Sequence, residues 1–426
     1  MKTTLNFLIM AMMMAIVMGC SKPSGPIDLG AKPTVTTGNV ASITETGATL
    51  NGNVTLDGGK TVTSRGIWIS INSNPTSANT VLNGGQGLGL FTVLASNLSP
   101  NTTYYYKAYA TNSKGTSTGN EVVFTTLAPV PATLALTLSS LSLSGAELQG
   151  NIIPNGSIIS ETGLCYATSH DPTTASNKIP SNVNTGTFTK TLSGLSENTK
   201  YYVRAYAVTN SGTLYSPEIE AWTYGLTDID GNGYHAVTIG TQTWTVENFK
   251  STHYLNGDEI PNVTDNTEWS NLTTGARCYY NNDRASYEPV YGCLYNWYVT
   301  NDSRGLAPSG WHVSDDDEWV NLMRYLGNNS NTTVGGKLKE SGTAHWKDPN
   351  TGATNSSGFT ALGGGARGIA SSGGVFGDLT LNAYFWSSTD YGPYAYGAYL
   401  QNDLNALYHS YVLERGYGFN IRLVKD

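Results

Sequence analysis

The chain has 426 residues, only 13% of them charged, with 48 glycines and 27 tyrosines. That composition fits two to four β-rich, turn-rich modules of the kind found outside the cytoplasm. The net charge is −8 and no Lys/Arg run occurs beyond the N-terminus, which argues against a nucleic-acid interface, since that needs a basic footprint.

Residues 1–19 read as a signal peptide: Lys2 supplies the positive start, and Leu5 to Met18 is almost all apolar. The stretch is too short and wrongly flanked for a membrane span. Val17-Met18-Gly19-Cys20 resembles a bacterial lipobox. The resemblance implies that Cys20 is lipidated and holds the mature chain on the outer membrane. Residues 20–32 come next as a tether rich in Pro and Gly. It lacks the acidic run that surface lipoproteins of Bacteroidetes often carry after the cysteine, so the periplasmic and surface faces both stay open.

An internal repeat occupies the next two hundred or so residues. Thr44-Glu45-Thr46-Gly47-Ala48-Thr49-Leu50-Asn51-Gly52-Asn53 pairs with Ser142-Leu143-Ser144-Gly145-Ala146-Glu147-Leu148-Gln149-Gly150-Asn151. Leu98 to Ala110 pairs in the same way with Leu195 to Ala207. Within the former of these two segments, Tyr104, Tyr106, Ala108 and Ala110 share one face of a period-2 strand. The Leu-x-Pro-x-Thr-x-Tyr order ending at Tyr104 resembles the approach to strand F of fibronectin type III domains, where the Tyr forms a corner. The second copy keeps Leu195, Thr199 and Tyr201 but has Glu197 in place of Pro. The resemblance covers 33–127 and 132–224 and implies two all-β sandwiches acting as spacers. Cys165, mid-strand in the second copy, reads as a buried inert thiol.

A different pattern starts at Asp228 and runs to 426. It holds seven of the nine tryptophans and five of the six histidines. Tyr234 to Ile239 and Thr243 to Val246 read as strands around a Gly240-Thr241-Gln242 turn. The spacing predicts a helix after Ser314, with Ser314 as cap, Asp317 at the capping-box position and Gly327 as stop. Trp319, Leu322, Met323 and Leu326 form its apolar stripe. The early acids Asp315 to Glu318 suit the positive end of the helix dipole.

At these residues a family resemblance appears. Asp228-Ile229-Asp230-Gly231-Asn232-Gly233-Tyr234, Ile239-Gly240-Thr241-Gln242-Thr243-Trp244, Leu294-Tyr295-Asn296-Trp297, Ala307-Pro308 with Gly310-Trp311-His312-Val313, and Tyr384-Phe385-Trp386-Ser387-Ser388 resemble the Fibrobacter succinogenes major paralogous domain. That family occurs in surface and secreted proteins and has no defined biochemical function. More distantly, Gly310 to Val313, Glu318-Trp319, Trp386 to Ser388 and Gly418-Phe419-Asn420-Ile421-Arg422 resemble sulfatase-modifying-factor domains. This implies a C-type-lectin-like α+β fold for 228–426. The fold class is thus multidomain: two all-β Ig-like sandwiches followed by an α+β domain.

Candidate sites are few. Asp228, Asp230 and Asn232 mimic the first half of a calcium loop, but the twelfth position would be Ile239 rather than Glu, and a tight turn explains the same residues. The Glu-Pro-Asn and Trp-Asn-Asp signals of calcium-dependent sugar binding are replaced by Glu288-Pro289-Val290 and Trp386-Ser387-Ser388. Cys278 and Cys293 are candidates for a disulfide in an oxidising envelope. Gly363 to Gly368 spells Gly-x-Gly-x-x-Gly without a following helix and reads as a loop. His235, His253, His312, His345 and His409 lack ligand spacing. The Tyr391, Tyr394, Tyr396, Tyr399, Tyr408 and Tyr411 cluster, interleaved with Gly, Asn and Gln, suits stacking on sugar rings or protein contacts; the alternative is alternation along core strands. The expected function is a non-enzymatic envelope lipoprotein whose end domain captures glycan, with no resident cofactor. The alternatives are a protein-binding part of a surface assembly, or a glycan-processing enzyme, which would need paired carboxylates such as Asp258/Glu259, Asp315 to Glu318 or Asp378.

Overall fold

Strand alternation builds the first half of the chain. The computed structural model describes residues 30–426; the signal peptide and Cys20 lie outside the described residues. Two compact units are formed, the first ending at Val130 and the second running Pro131–Asp426.

The first unit is a sandwich of two antiparallel sheets. Thr34–Thr37, Ala48–Leu56 and Gly89–Ala95 form one. Thr80–Asn83, Ser64–Ser70, Thr103–Asn112 and Gly115–Thr118 form the other, with Val122–Thr125 also paired to the long Thr103–Asn112 strand. Tyr104, Tyr106, Ala108 and Ala110 point inward as their spacing requires, and pack with Leu50, Ile67 and Phe91. Tyr104 makes the expected corner: its hydroxyl accepts from the Ser99 amide at 2.9 Å.

The second unit opens with a sandwich of the same plan. Gly186–Ser193, Gly145–Ile153 and Thr133–Leu141 face a sheet built on Ile159–Ala167 and Lys200–Thr209. Tyr201 repeats the corner, accepting from the Ser196 amide at 3.1 Å. In both copies a glycine admits a phenylalanine from the neighbouring strand. A Cβ on Gly52 would sit 2.3 Å from the Phe91 ring, and one on Gly150 would sit 2.4 Å from Phe188. Cys165 is buried, and burial pushes its thiol up to about 11 against the opposing charge of Arg204.

This second sandwich is fastened to the C-terminal domain. The Asn198 side chain donates to the Ala236 carbonyl and accepts from its amide, both at 2.9 Å. The Trp222 ring stacks on His235 at 4.1 Å. The His235 Nδ1 lies 2.6 Å from Glu247, and Nε2 lies 2.8 Å from the Trp222 carbonyl.

From residue 236 on, two larger sheets, a short two-stranded pair of Arg277–Cys278 with Leu294–Tyr295, and a few helices enclose the large aromatics. The first sheet runs Ala236–Ile239, Gln242–Thr245, Leu423–Lys425, Trp311–Val313, so the C-terminal strand is inserted between two early ones. The second runs Phe376–Leu379, Gly364–Arg367, Asn382–Tyr391, Tyr394–Gln401, Tyr408–Glu414. Its Gly364–Arg367 strand occupies the glycine run expected to be a loop. There Gly365 takes a positive φ of 64°, and a Cβ on it would lie 2.5 Å from the Gly377 carbonyl.

The helix Asp316–Gly327 forms as expected, with its cap one residue later than the sequence suggested. Asp315 accepts from the Glu318 amide, and Glu318 accepts from the Asp315 amide, a closed capping box. Ser314 is instead used from inside: the Trp319 indole N–H donates to its hydroxyl at 3.1 Å. Asn328, with φ 48°, takes the left-handed position just beyond Gly327. Trp319 and Leu322 are fully buried against Trp244, Phe359 and Phe385, while Met323 and Leu326 flank them.

Candidate functional site

The family-like motifs turn out to be framework. The Trp386 indole donates to the Tyr295 carbonyl and the Trp297 indole donates to the Ser387 carbonyl, both at 2.8 Å. Two distant motifs thus clasp each other across the core. Arg422 is fully buried and donates to Asn248 Oδ1 at 2.7 Å and to the carbonyls of Thr245, Val246, Phe359 and Thr360. Its guanidinium lies 4.5 Å from the Phe359 ring centre. Its hydrogen bonds go to backbone carbonyls and a carboxamide rather than to a carboxylate, while burial disfavours its charge and the charge of Glu247 supports it.

The acids offered as a calcium loop are also accounted for by the fold. Asp228 accepts from the amides of Asp230 and Asn232, from the Asn232 side chain, and from the Tyr234 hydroxyl at 2.6 Å. Asp230 turns the other way, to Ser251, Thr252 and His253. Burial works against its ionised form, but these donors outweigh it and hold the carboxyl below its ordinary range. Among the described residues no three His, Cys, Asp or Glu side chains converge as a metal site.

The expected Cys278–Cys293 bond is corrected. Among the described residues, the cysteines are free and buried. Cys278 pairs in register with Leu294, so Cys293, one residue earlier, points to the opposite face. Cys278 packs with Trp269 and Tyr280, whereas Cys293 packs with Tyr279 and Tyr295. A disulfide needs the two Cβ atoms facing each other. Burial pushes each thiol up to about 12.

The tyrosines divide by strand register. Tyr384 pairs with Tyr399, and Tyr399 with Tyr408, so these share one face of the five-stranded sheet. Tyr399 stacks on Tyr408 at 4.6 Å and meets Tyr411 edge-on at 5.2 Å. Tyr394 and Tyr396 alternate to the other face, where Tyr396 contacts Tyr391 at 5.0 Å. The cluster read from the sequence is therefore two groups back to back. Tyr391, Tyr394 and Tyr411 are exposed, and Tyr396, Tyr399 and Tyr408 are half-buried.

Beside the first group lies a concavity of about 310 Å³. Phe376, Tyr384, Tyr411, Tyr417 and Phe419 line it, together with Leu413, Ser372 and Asp378. Tyr384, Phe419 and Tyr417 form a ladder of near-parallel rings, with spacings of 4.9 and 5.5 Å. The Tyr384 hydroxyl donates to Asp378 at 2.8 Å and accepts from Asn382 at 2.8 Å. Burial first, and then the Asp378 charge, push the Tyr384 phenol up, so it stays protonated and donating. Asp378 is exposed and held at φ 62°, a conformation that Asp tolerates better than most residues. This is an apolar floor with a polar rim, suited to a flat ligand with hydroxyls at its edge.

Of the six tyrosines singled out, only Tyr411 lines this hollow, with Tyr399 behind it. Sequence reasoning missed Phe376, Tyr384, Tyr417 and Phe419 as a site, and offered Asp378 only among the carboxylates a glycan-processing enzyme would need. Tyr384 and Tyr417 bracket the tyrosine-rich stretch in sequence, which was the available signal. Phe419 sits in a motif that reads as core, and only the chain's return brings it alongside Tyr384.

Residues 237–425 match the family model of the Fibrobacter succinogenes major domain. No curated protein matches the chain. Among solved structures, the chain is similar to the chicken CNTN1 FN1-FN3 domains at 19% identity, over 46% of this chain and 69% of that one, with a TM-score of 0.20. It is also similar to the sensor domain of the anti-sigma factor RsgI4 of Pseudobacteroides cellulosolvens at 21% identity, over 23% and 97%, with a TM-score of 0.19.

Proposed function

We propose that the Fibrobacter succinogenes major domain of this chain adopts a C-type-lectin-like arrangement and captures glycan, without turning it over, at the bacterial envelope. Lipidated Cys20 would hold the chain on the outer membrane, and the two sandwiches would serve as spacers. The observation that carries the reading is the aromatic hollow with its rim of Asp378 and Tyr384. Ring faces stack on the apolar faces of sugars, and the carboxylate and phenol take up their hydroxyls. Asp378 is engaged by the Tyr384 phenol, an arrangement that favours accepting hydroxyls over protonating a leaving group.

The test is a glycan-array screen of the chain lacking residues 1–20, with and without EDTA. Binding to a defined sugar class, unchanged by EDTA and lost in Tyr384→Ala and Tyr411→Ala, is expected. Loss of binding with EDTA would move the site to the Asp228 loop. A blank array from a chain that melts cooperatively would turn the reading towards a protein partner.

A further inference from the structure

A second hollow adjoins the first. It measures about 420 Å³ and is lined by Tyr298, Ile369, Tyr394, Glu414, Arg415 and Gly416, among others. The two hollows meet three times along the chain. Gly368 lines one and Ile369 the other, Leu413 one and Glu414 the other, and Tyr417 one and Gly416 the other. They therefore lie on either side of a ridge formed by Ile369 and the turn after the Tyr408–Glu414 strand. Gly416 packs closely on this ridge: a Cβ there would sit 3.1 Å from Ile369 Cγ2.

Charge restricts what crosses this ridge. The first hollow is lined by one carboxylate, Asp378, and by no Lys, Arg or His. In the second, the Arg415 guanidinium is committed to Asp390 at 2.7 Å and to the Gly392 carbonyl, and lies 4.1 Å from the Trp297 ring centre. Glu414 is the other ionisable group there besides the tyrosines. A uronate or sulfated sugar would meet carboxylates and no uncommitted cation.

We propose that the two hollows form one binding track for a neutral, extended polysaccharide chain, which runs over Gly416 and occupies both hollows at once. This rests on the glycan reading above and adds length and charge selectivity to it. Each hollow has the size for a short saccharide stretch, so a chain that fills both gains contacts that a disaccharide lacks.

The experiment is calorimetric titration of the chain lacking residues 1–20 with neutral β-1,4-linked gluco-, xylo- and manno-oligosaccharides, from disaccharide to hexasaccharide, and with oligogalacturonate. The hexasaccharide of the preferred series should bind about tenfold or more tighter than its disaccharide, a gain of roughly 1.4 kcal/mol. Tyr298→Ala, in the second hollow, should remove that gain, while Tyr411→Ala should weaken disaccharide and hexasaccharide alike. Gly416→Val should also weaken the hexasaccharide more than the disaccharide; Tyr298→Ala, at a half-buried position, keeps the test open if the valine disturbs folding. Equal affinities for disaccharide and hexasaccharide would overturn the track and leave the glycan reading standing. Oligogalacturonate binding as tightly as the neutral series would overturn the charge selectivity. No binding by any sugar would overturn both readings.

Discussion

At the scale of single residues, the buried cations separate framework from site. Arg422 ends the Gly418 to Arg422 motif picked out in the sequence, and the structure gives it five acceptors, none of them a carboxylate. Removing it strands those acceptors in the core. Arg422→Met should lower the stability of the C-terminal domain by about 3 kcal/mol or more, read from the urea midpoint. Arg422→Lys should recover little, because an ammonium cannot span the same fork of acceptors. An unchanged midpoint in the methionine variant would show that the acceptors find water. Lys339 repeats the theme: it is buried, and donates to the carbonyls of Gln401 and Leu404 at 2.9 Å. Burial pulls its ammonium down to about 8, with Asp403 opposing. Neither role was legible in the sequence, where an Arg or Lys without an acid at helical spacing looks like surface.

At the scale of elements, local pattern read well and its endpoints less so. The apolar stripe of the Asp316–Gly327 helix is visible from spacing alone, but spacing puts the cap at Ser314 rather than Asp315. Two candidate caps stand side by side, and only the path of the preceding strand decides between them. The Trp311–Val313 strand turns Ser314 inward under Trp319 and leaves Asp315 to close the helix. Asp315→Ala should therefore cost about 1 kcal/mol in thermal or urea unfolding, as for other lost N-caps. Asp317→Ala should stay within about 0.5 kcal/mol. The opposite order would return the cap to Ser314. Cys278 and Cys293 teach the same lesson in a strand. Their spacing allowed a bond, and the one-residue offset in register placed them on opposite faces.

At the scale of the whole molecule, the N-terminal pattern carries a prediction of its own. If lipidation at Cys20 holds the chain on the membrane, Cys20→Ala should move it from the membrane fraction to the soluble one. A variant that still sediments with membrane would point to another anchor. The sequence by itself determined the repeat, the strand alternation of Tyr104 to Ala110 and its second copy, the amphipathic helix and the family of the last domain. Each of these is written in near neighbours, at a period of two, at a period of 3.6, or in ordered motifs. Only the tertiary structure decided the site. The hollow draws Phe376, Asp378, Tyr384, Tyr411 and Phe419 from separate strands and a returning loop, and sheet register set three of the six tyrosines on its face and three away from it. Register depends on hydrogen bonding between strands far apart in the chain, and a local pattern holds no record of which strand will lie beside which.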